Sequence, residues 1–217
     1  MLVIGDKVVL HMPRCGGSSL RWALEKAGLT YRYSCEHAPF WSLPLQYKKL
    51  ENVGVVRHPS EWYRSLFYYQ CRLGRNSSSV LGYVLSSGFK SDDFTSFYAN
   101  ALDLPSFFAN SNNLEMLKKR IKHIQMNKYT CWQVLNWPDV EDPLSGIAGK
   151  TLYEHWYNTV GLDLADNIFS LEQGFDWVPD FFGREINMQH RNAGNAPYFD
   201  VRATVADLQL YNRRPGQ

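Results

Sequence analysis

Little in this 217-residue chain marks it as secreted, metal-bound or nucleic-acid-bound. Its four cysteines, Cys15, Cys35, Cys71 and Cys131, fall in no CxxC or Cys/His spacing. That excludes a zinc-finger pattern and a dense disulfide framework, and makes reduced thiols in a cytosol the expectation. Charge of one sign is scarce too. With 23 basic against 21 acidic residues the net charge is +2, so no global field draws in nucleic acid, and any basic feature has to be local. No apolar run reaches the roughly 18 residues of a spanning helix, so no transmembrane segment is expected. The opening MLVIGDKVVLHMPR contains a glycine and an acidic residue and has no small-residue cleavage site, so it reads as a strand rather than a signal peptide. Repeats and low-complexity tracts are lacking. So is GxxxxGK[ST], and with it the magnesium apparatus of a metal-dependent NTPase.

What is present is an α/β pattern. Lys7 to His11 is a β-branched apolar run that ends at Pro13, and a helix should follow, capped by Ser18 or Ser19, with Leu20, Ala23, Leu24 and Ala27 on one face and Gly28 as its stop. Tyr31 to Cys35 and Asn52 to Arg57 read as further strands. Pro59 then starts a helix that runs to about Leu73. Later come an amphipathic helix over Asn113 to Asn127, a helix near Thr151 to Val160, a strand at Asn167 to Glu172 and a closing helix at Val201 to Tyr211. Gly74 to Ser79, Phe89 to Asp93 and Asn136 to Gly149 read as loops. The order implies one domain, 1–217, with a central parallel sheet flanked by helices. Aromatics are 15% of residues and crowd in WYRSLFYY, SFFAN and FDWVPDFF, which points first to core packing and second to an acceptor cleft.

The chemistry concentrates in HMPRCGGSSLR, residues 11–21. A strand that ends in a glycine-rich turn opening a helix is a preformed anion site, because unpaired N–H groups and the helix dipole face the turn. Gly16 and Gly17 let the main chain approach an anion closely. Ser18 and Ser19 add hydroxyls, and Arg14 adds charge and a planar donor fork.

This loop resembles the HIPKTGGTSL-type 5′-phosphosulfate loop of carbohydrate O-sulfotransferases, which use 3′-phosphoadenosine 5′-phosphosulfate (PAPS). VVRHPSEWYRSLFYY is similar to that family's 3′-phosphate motif, with Arg57 at a strand end and Ser65 eight residues later in the next helix. CEHAPF is similar to its GHxPF-like segment and puts His37 at the place of a catalytic histidine, with the neighbouring Glu36 as the alternative base. FSLEQGFDWVPDFF followed by HRNAGNAPYFD resembles the late strand and the nucleotide-closing loop, which offers Arg191 and Asn192 as contacts. The resemblance implies a P-loop NTPase-like sulfotransferase fold that moves a sulfuryl group from PAPS to a hydroxyl, on a glycan by preference. Pro13, Arg14, Cys15, Gly16, Gly17, Ser18, Ser19, Arg57 and Ser65 would hold the donor, and residues 74–159 would form an acceptor-binding insertion. No metal is expected, since cationic side chains and backbone donors neutralise the donor's charge. Lacking the anchor and luminal signal of Golgi relatives, the chain is expected to be either a cytoplasmic protein of bacterial or viral origin or a trimmed piece of a longer protein.

Two departures stand out: Arg14 replaces the usual lysine and Cys15 the usual hydroxyl residue. Arginine retains charge but gives up proton donation. Cys15, near a helix N-terminus, is expected to have a depressed pKa. The same stretch offers a rival chemistry, since Cys15-x5-Arg21 is the spacing of cysteine-dependent phosphatases, with Asp142 as a nominal acid.

Overall fold

The computed structural model describes residues 1–34, 37–73, 80–86, 93–126, 141–188 and 201–213. The opening run is two strands. β1 (Leu2–Ile4) turns at Gly5-Asp6 into β2 (Lys7–His11), and Ile4 pairs with Lys7 across the turn. Gly5 has φ +61°, the backbone that a two-residue hairpin with glycine in first place demands. The remaining strands are β3 (Tyr31–Ser34), β4 (Glu51–Val56) and β5 (Asn167–Ser170), in the order β3-β1-β2-β4-β5. β2, β4 and β5 are mutually parallel, whereas β1 is antiparallel to both its neighbours. The protein is therefore α/β, as expected, but its five-stranded sheet is mixed where the sequence pattern implies a central parallel one: only β2, β4 and β5 are parallel. The cause is local, because Gly5-Asp6 is a turn and not an interruption within one strand.

Helix α1 (Gly17–Lys26) begins at an N-cap that is Gly16, with φ +77° and no side-chain cap, so Ser18 and Ser19 lie inside its first turn and do not cap it. Its end is as expected: the Gly28 N–H reaches the Glu25 carbonyl and the Leu29 N–H the Leu24 carbonyl, with Gly28 left-handed. α2 (Pro59–Leu73) matches its expected bounds, since proline fits the first helical position and Glu61 suits the positive end of the dipole. The described part of 74–159 is helical: α3 (Val80–Ser86), α4 (Phe94–Leu102), α5 (Leu104–Ala109), α6 (Ser111–Met126) and α7 (Leu152–Thr159). Side-chain caps from Asp93, Asp103 and Thr151 start α4, α5 and α7. Two further helices, α8 (Trp177–Phe182) and α9 (Val205–Asn212), complete the described chain, and none of its helices is long and apolar enough to cross a membrane.

Most of the aromatic crowding is core. Trp62, Tyr63 and Phe67 of α2, Phe97 of α4 and Tyr153, Trp156 and Tyr157 of α7 are fully buried, and α2 packs against α3, α4, α7 and α9. One polar network pins these helices. The Tyr153 N–H donates to Tyr63 Oη (3.2 Å), Tyr63 donates to Asp207 of α9 (3.1 Å), and Thr151 donates to the other Asp207 oxygen (2.6 Å). Burial raises the Asp207 pKa, and the hydroxyl donors oppose that rise.

The connections place the site. The chain leaves β2 toward β3 on one side and leaves β4 toward β5 on the other, so the carboxyl ends of β2 and β4 flank a topological switch point. Ligands of open α/β sheets bind at such a switch point.

Candidate functional site

The carboxyl ends of β2, β4 and β5 are in register, with His11 paired to Val55 and Val56 to Ser170. The segments that follow them carry Met12 to Gly16, Arg57 and Glu172. The loop after β2 is held from below. The Cys15 N–H donates to the Met12 carbonyl (3.3 Å), and Trp62 Nε1 donates to the Pro13 carbonyl (2.7 Å). Gly16 is required sterically, because a Cβ there would lie 2.7 Å from Phe175 and 2.9 Å from Leu171 in a backbone that already disfavours one.

Arg14 and His37 are the two non-glycine residues with positive φ among the described residues, at +66° and +54°. Such strained backbone concentrates at functional sites. Both are residues to which the sequence assigns chemistry.

From its strained position Arg14 reaches α2. Its Nε donates to Ser65 Oγ (3.1 Å), and its guanidinium lies 4.4 Å above the centre of the Tyr69 ring. Burial is the main cause lowering the Arg14 pKa, and the charge of Arg57 lowers it further. Two guanidiniums thus feel each other beside a helix N-terminus whose N-cap, Gly16, has no side chain to offer, and a bound anion would relieve that repulsion. Arg57 is braced by Glu61 (3.8 Å) and Glu172 (4.0 Å), and its carbonyl accepts from Tyr153 (2.9 Å), yet its buried Nε has no hydrogen-bond partner among the described residues. Glu172 is itself positioned, since it accepts from the His58 N–H (3.0 Å) and from Tyr211 (3.3 Å) and sits in a turn closed by the Ser170–Gln173 capping box. Among the described residues no group of three His, Cys, Asp or Glu side chains could hold a metal ion.

His37 is 9% exposed, with Nδ1 3.5 Å from the His11 carbonyl oxygen and its ring edge-on to those of His11 (4.9 Å) and Trp156 (6.3 Å). Burial lowers its pKa to about 3, so the imidazole is neutral at pH 7.

The structure therefore brings Arg14, Arg57, Ser65 and His37 to one edge of the sheet. Ser18 is exposed there and Ser19 buried. Glu36, Arg191 and Asn192 lie outside the described residues, as do Cys35 and Cys131. Cys15 is a correction. Its side chain is in the core at 1% exposure, and burial pushes the thiol pKa far up, outweighing the nearby arginines, so the expected depressed pKa does not occur. Arg21 lies in the second turn of α1. Sequence reasoning assigns no role to His11, Trp62 or Tyr69 although all three lie inside the two motifs: their contacts are recognisable only once α1 and α2 are docked on β2. Comparisons with family models, with curated proteins and with solved structures return no match for this chain.

Proposed function

We propose that this edge is a donor site for PAPS and that the protein is a sulfotransferase of P-loop NTPase-like fold acting on a hydroxyl acceptor, with a glycan as the preferred class. One observation carries the reading: the Arg14–Ser65 hydrogen bond joins the glycine-rich loop to the Arg57/Ser65 pair across 51 residues of sequence. Two motifs that resemble the two halves of one nucleotide site thus meet in space. Ser65 accepts from Arg14 and keeps its own O–H to donate to a phosphate oxygen.

In the proposed reaction the acceptor oxygen forms a bond to sulfur as the bond from sulfur to the 5′-phosphate oxygen breaks. The electron pair stays on 3′-phosphoadenosine 5′-phosphate. The acceptor's proton passes to a base: His37 presents a lone pair on Nε2, since its Nδ1–H is directed at the His11 carbonyl, and the negative charge of the bound donor would raise the basicity that burial holds down. Glu36 is the alternative base. Arg14 offsets charge on the leaving phosphate but transfers no proton. The rival phosphatase chemistry would need the Cys15 thiolate, the form that burial disfavours.

The test is thermal stability of the protein with 3′-phosphoadenosine 5′-phosphate against 5′-AMP. At about 100 times its dissociation constant the first should stabilise by roughly 2.7 kcal/mol. Arg57→Ala should lose that gain while unfolding within about 1 kcal/mol of the parent, because its ion pairs are partly exposed. Equal shifts with both nucleotides, or no shift, would reject the PAPS reading. Cys15→Ser should keep the nucleotide response.

A further inference from the structure

His11 is a histidine where the β2 pattern needs only an apolar residue, and the fold pays for it with an unmet polar atom. The ring is 3% exposed. Its Nδ1 is 3.3 Å from the Met12 carbonyl oxygen, and its Nε2 is buried with no hydrogen-bond partner among the described residues. A leucine or phenylalanine would fill the same space without that cost.

Its neighbours show what the ring touches. On one side is Gly17, the first residue of α1, so close that a Cβ there would lie 2.5 Å from His11 Cε1 and 3.0 Å from Nε2. On the other side is His37, whose ring meets that of His11 at 87° and whose Nδ1 faces the His11 carbonyl. The imidazole of His11 is thus in contact with both the phosphate-loop helix and the base.

We propose that His11 is a positioning residue that transmits the state of the glycine-rich loop to His37. Anion capture at the N-terminus of α1 acts on the Gly17 backbone, Gly17 bears on the His11 ring, and the ring with its carbonyl sets the orientation of the His37 imidazole. The catalytic meaning rests on the sulfotransferase reading, whereas the mechanical link does not. Tightly packed chains with two arrangements carry coupling of this kind. His37 is faced by the His11 and Trp156 rings, and at longer range by the N-terminal amino group, Arg14 and Arg21, and of the two rings His11 is the one that also meets Gly17.

A double-mutant cycle on the nucleotide-free protein tests the link. Gly17 has ordinary φ, so Gly17→Ala adds only a methyl group against the His11 ring. His11→Asn keeps an N–H for the Met12 carbonyl and removes the ring edge, and His11→Phe keeps a ring and removes the nitrogens. Near-ultraviolet circular dichroism checks that each variant is folded. The readout is the His37 imidazole carbon and nitrogen resonances, assigned with His37→Gln. Gly17→Ala should shift them in the parent and leave them unmoved in the His11→Asn background, with His11→Phe retaining part of the shift. Resonances that ignore Gly17→Ala, or that move equally with and without His11, would overturn the proposal. Adding 3′-phosphoadenosine 5′-phosphate separates the two failures. Thermal stabilisation by the nucleotide without a His37 response overturns the link and leaves the donor site standing, whereas a positive cycle with no stabilisation upholds the link and removes the donor.

Discussion

The two ends of the parallel strands are built differently. At the amino end Asn52 and Asp166 close β4 onto β5 with three hydrogen bonds: the Asn52 N–H and side-chain amide donate to Asp166 (2.8 and 3.0 Å), and the Asp166 N–H donates back (3.2 Å). Lys7 and Glu51 pair across β2 and β4 beside them. At the carboxyl end the backbone is strained at Arg14 and His37, His11 and Arg57 carry buried nitrogens that no described residue satisfies, and two arginines repel. The same strands thus end in satisfied polar groups on one side and, on the other, in unmet ones, of which the Arg57 Nε and the arginine pair are those that a bound anion would meet. Buried polar groups left unmet call for an explanation, and these lie where ligands of open α/β sheets bind.

That contrast can be broken from the acid side with the largest effect. Burial holds His37 and His155 at about 3 against an ordinary 6.5, and holds His11 low as well, so the unfolded chain binds more protons below pH 6.5. Their contribution is complete above pH 6.5 and is lost as pH falls toward 3. Each group should remove about 1.4 kcal/mol per pH unit in that window. Denaturant midpoints at pH 7 and pH 5 measure the loss, His37→Asn should remove only its own share, and equal midpoints at the two pH values would refute buried neutral imidazoles.

Next in size is the amino end. Asp166→Ala leaves the Asn52 donors without their carboxylate and should destabilise by about 1–2 kcal/mol while nucleotide binding at the opposite edge stays as in the parent. A weakened nucleotide response would mean that the two ends are not independent.

Smallest is Arg14→Lys. It keeps the charge but loses the Nε bond to Ser65 and the flat stacking on Tyr69, so 3′-phosphoadenosine 5′-phosphate should bind roughly tenfold more weakly, about 1.4 kcal/mol, with fold stability changed by less than that. Calorimetric titration decides it, and unchanged affinity would show that the fork is dispensable.

Much of the fold is legible in the amino-acid sequence. The proline at 59, the β-branched run at 52–56 and Gly28 mark their elements because each acts through local backbone preference. α3 is not legible, since VLGYVLS mixes glycine and β-branched residues and becomes helical through packing against α2 and α6. The site divides in the same way. Arg14, Arg57 and Ser65 can be named because their spacing is linear, whereas the core position of Cys15 depends on residues brought together by folding, and burial reverses the effect expected of a helix N-terminus. His11 opens the glycine-rich motif, but nothing in the sequence says that its ring is buried against Gly17 and His37.

β1 contributes three residues, all apolar and buried, and no functional side chain, yet by lying between β2 and β3 it holds the strand that leads to the base two strand spacings, roughly 10 Å, from the strand that leads to the phosphate loop. It acts as a spacer, so the separation between the two strands that lead to the proposed donor loop and the proposed base is a gauge set by a single strand. On the proposed function, widening or narrowing that gauge would change the distance between donor and base without touching a side chain of the site.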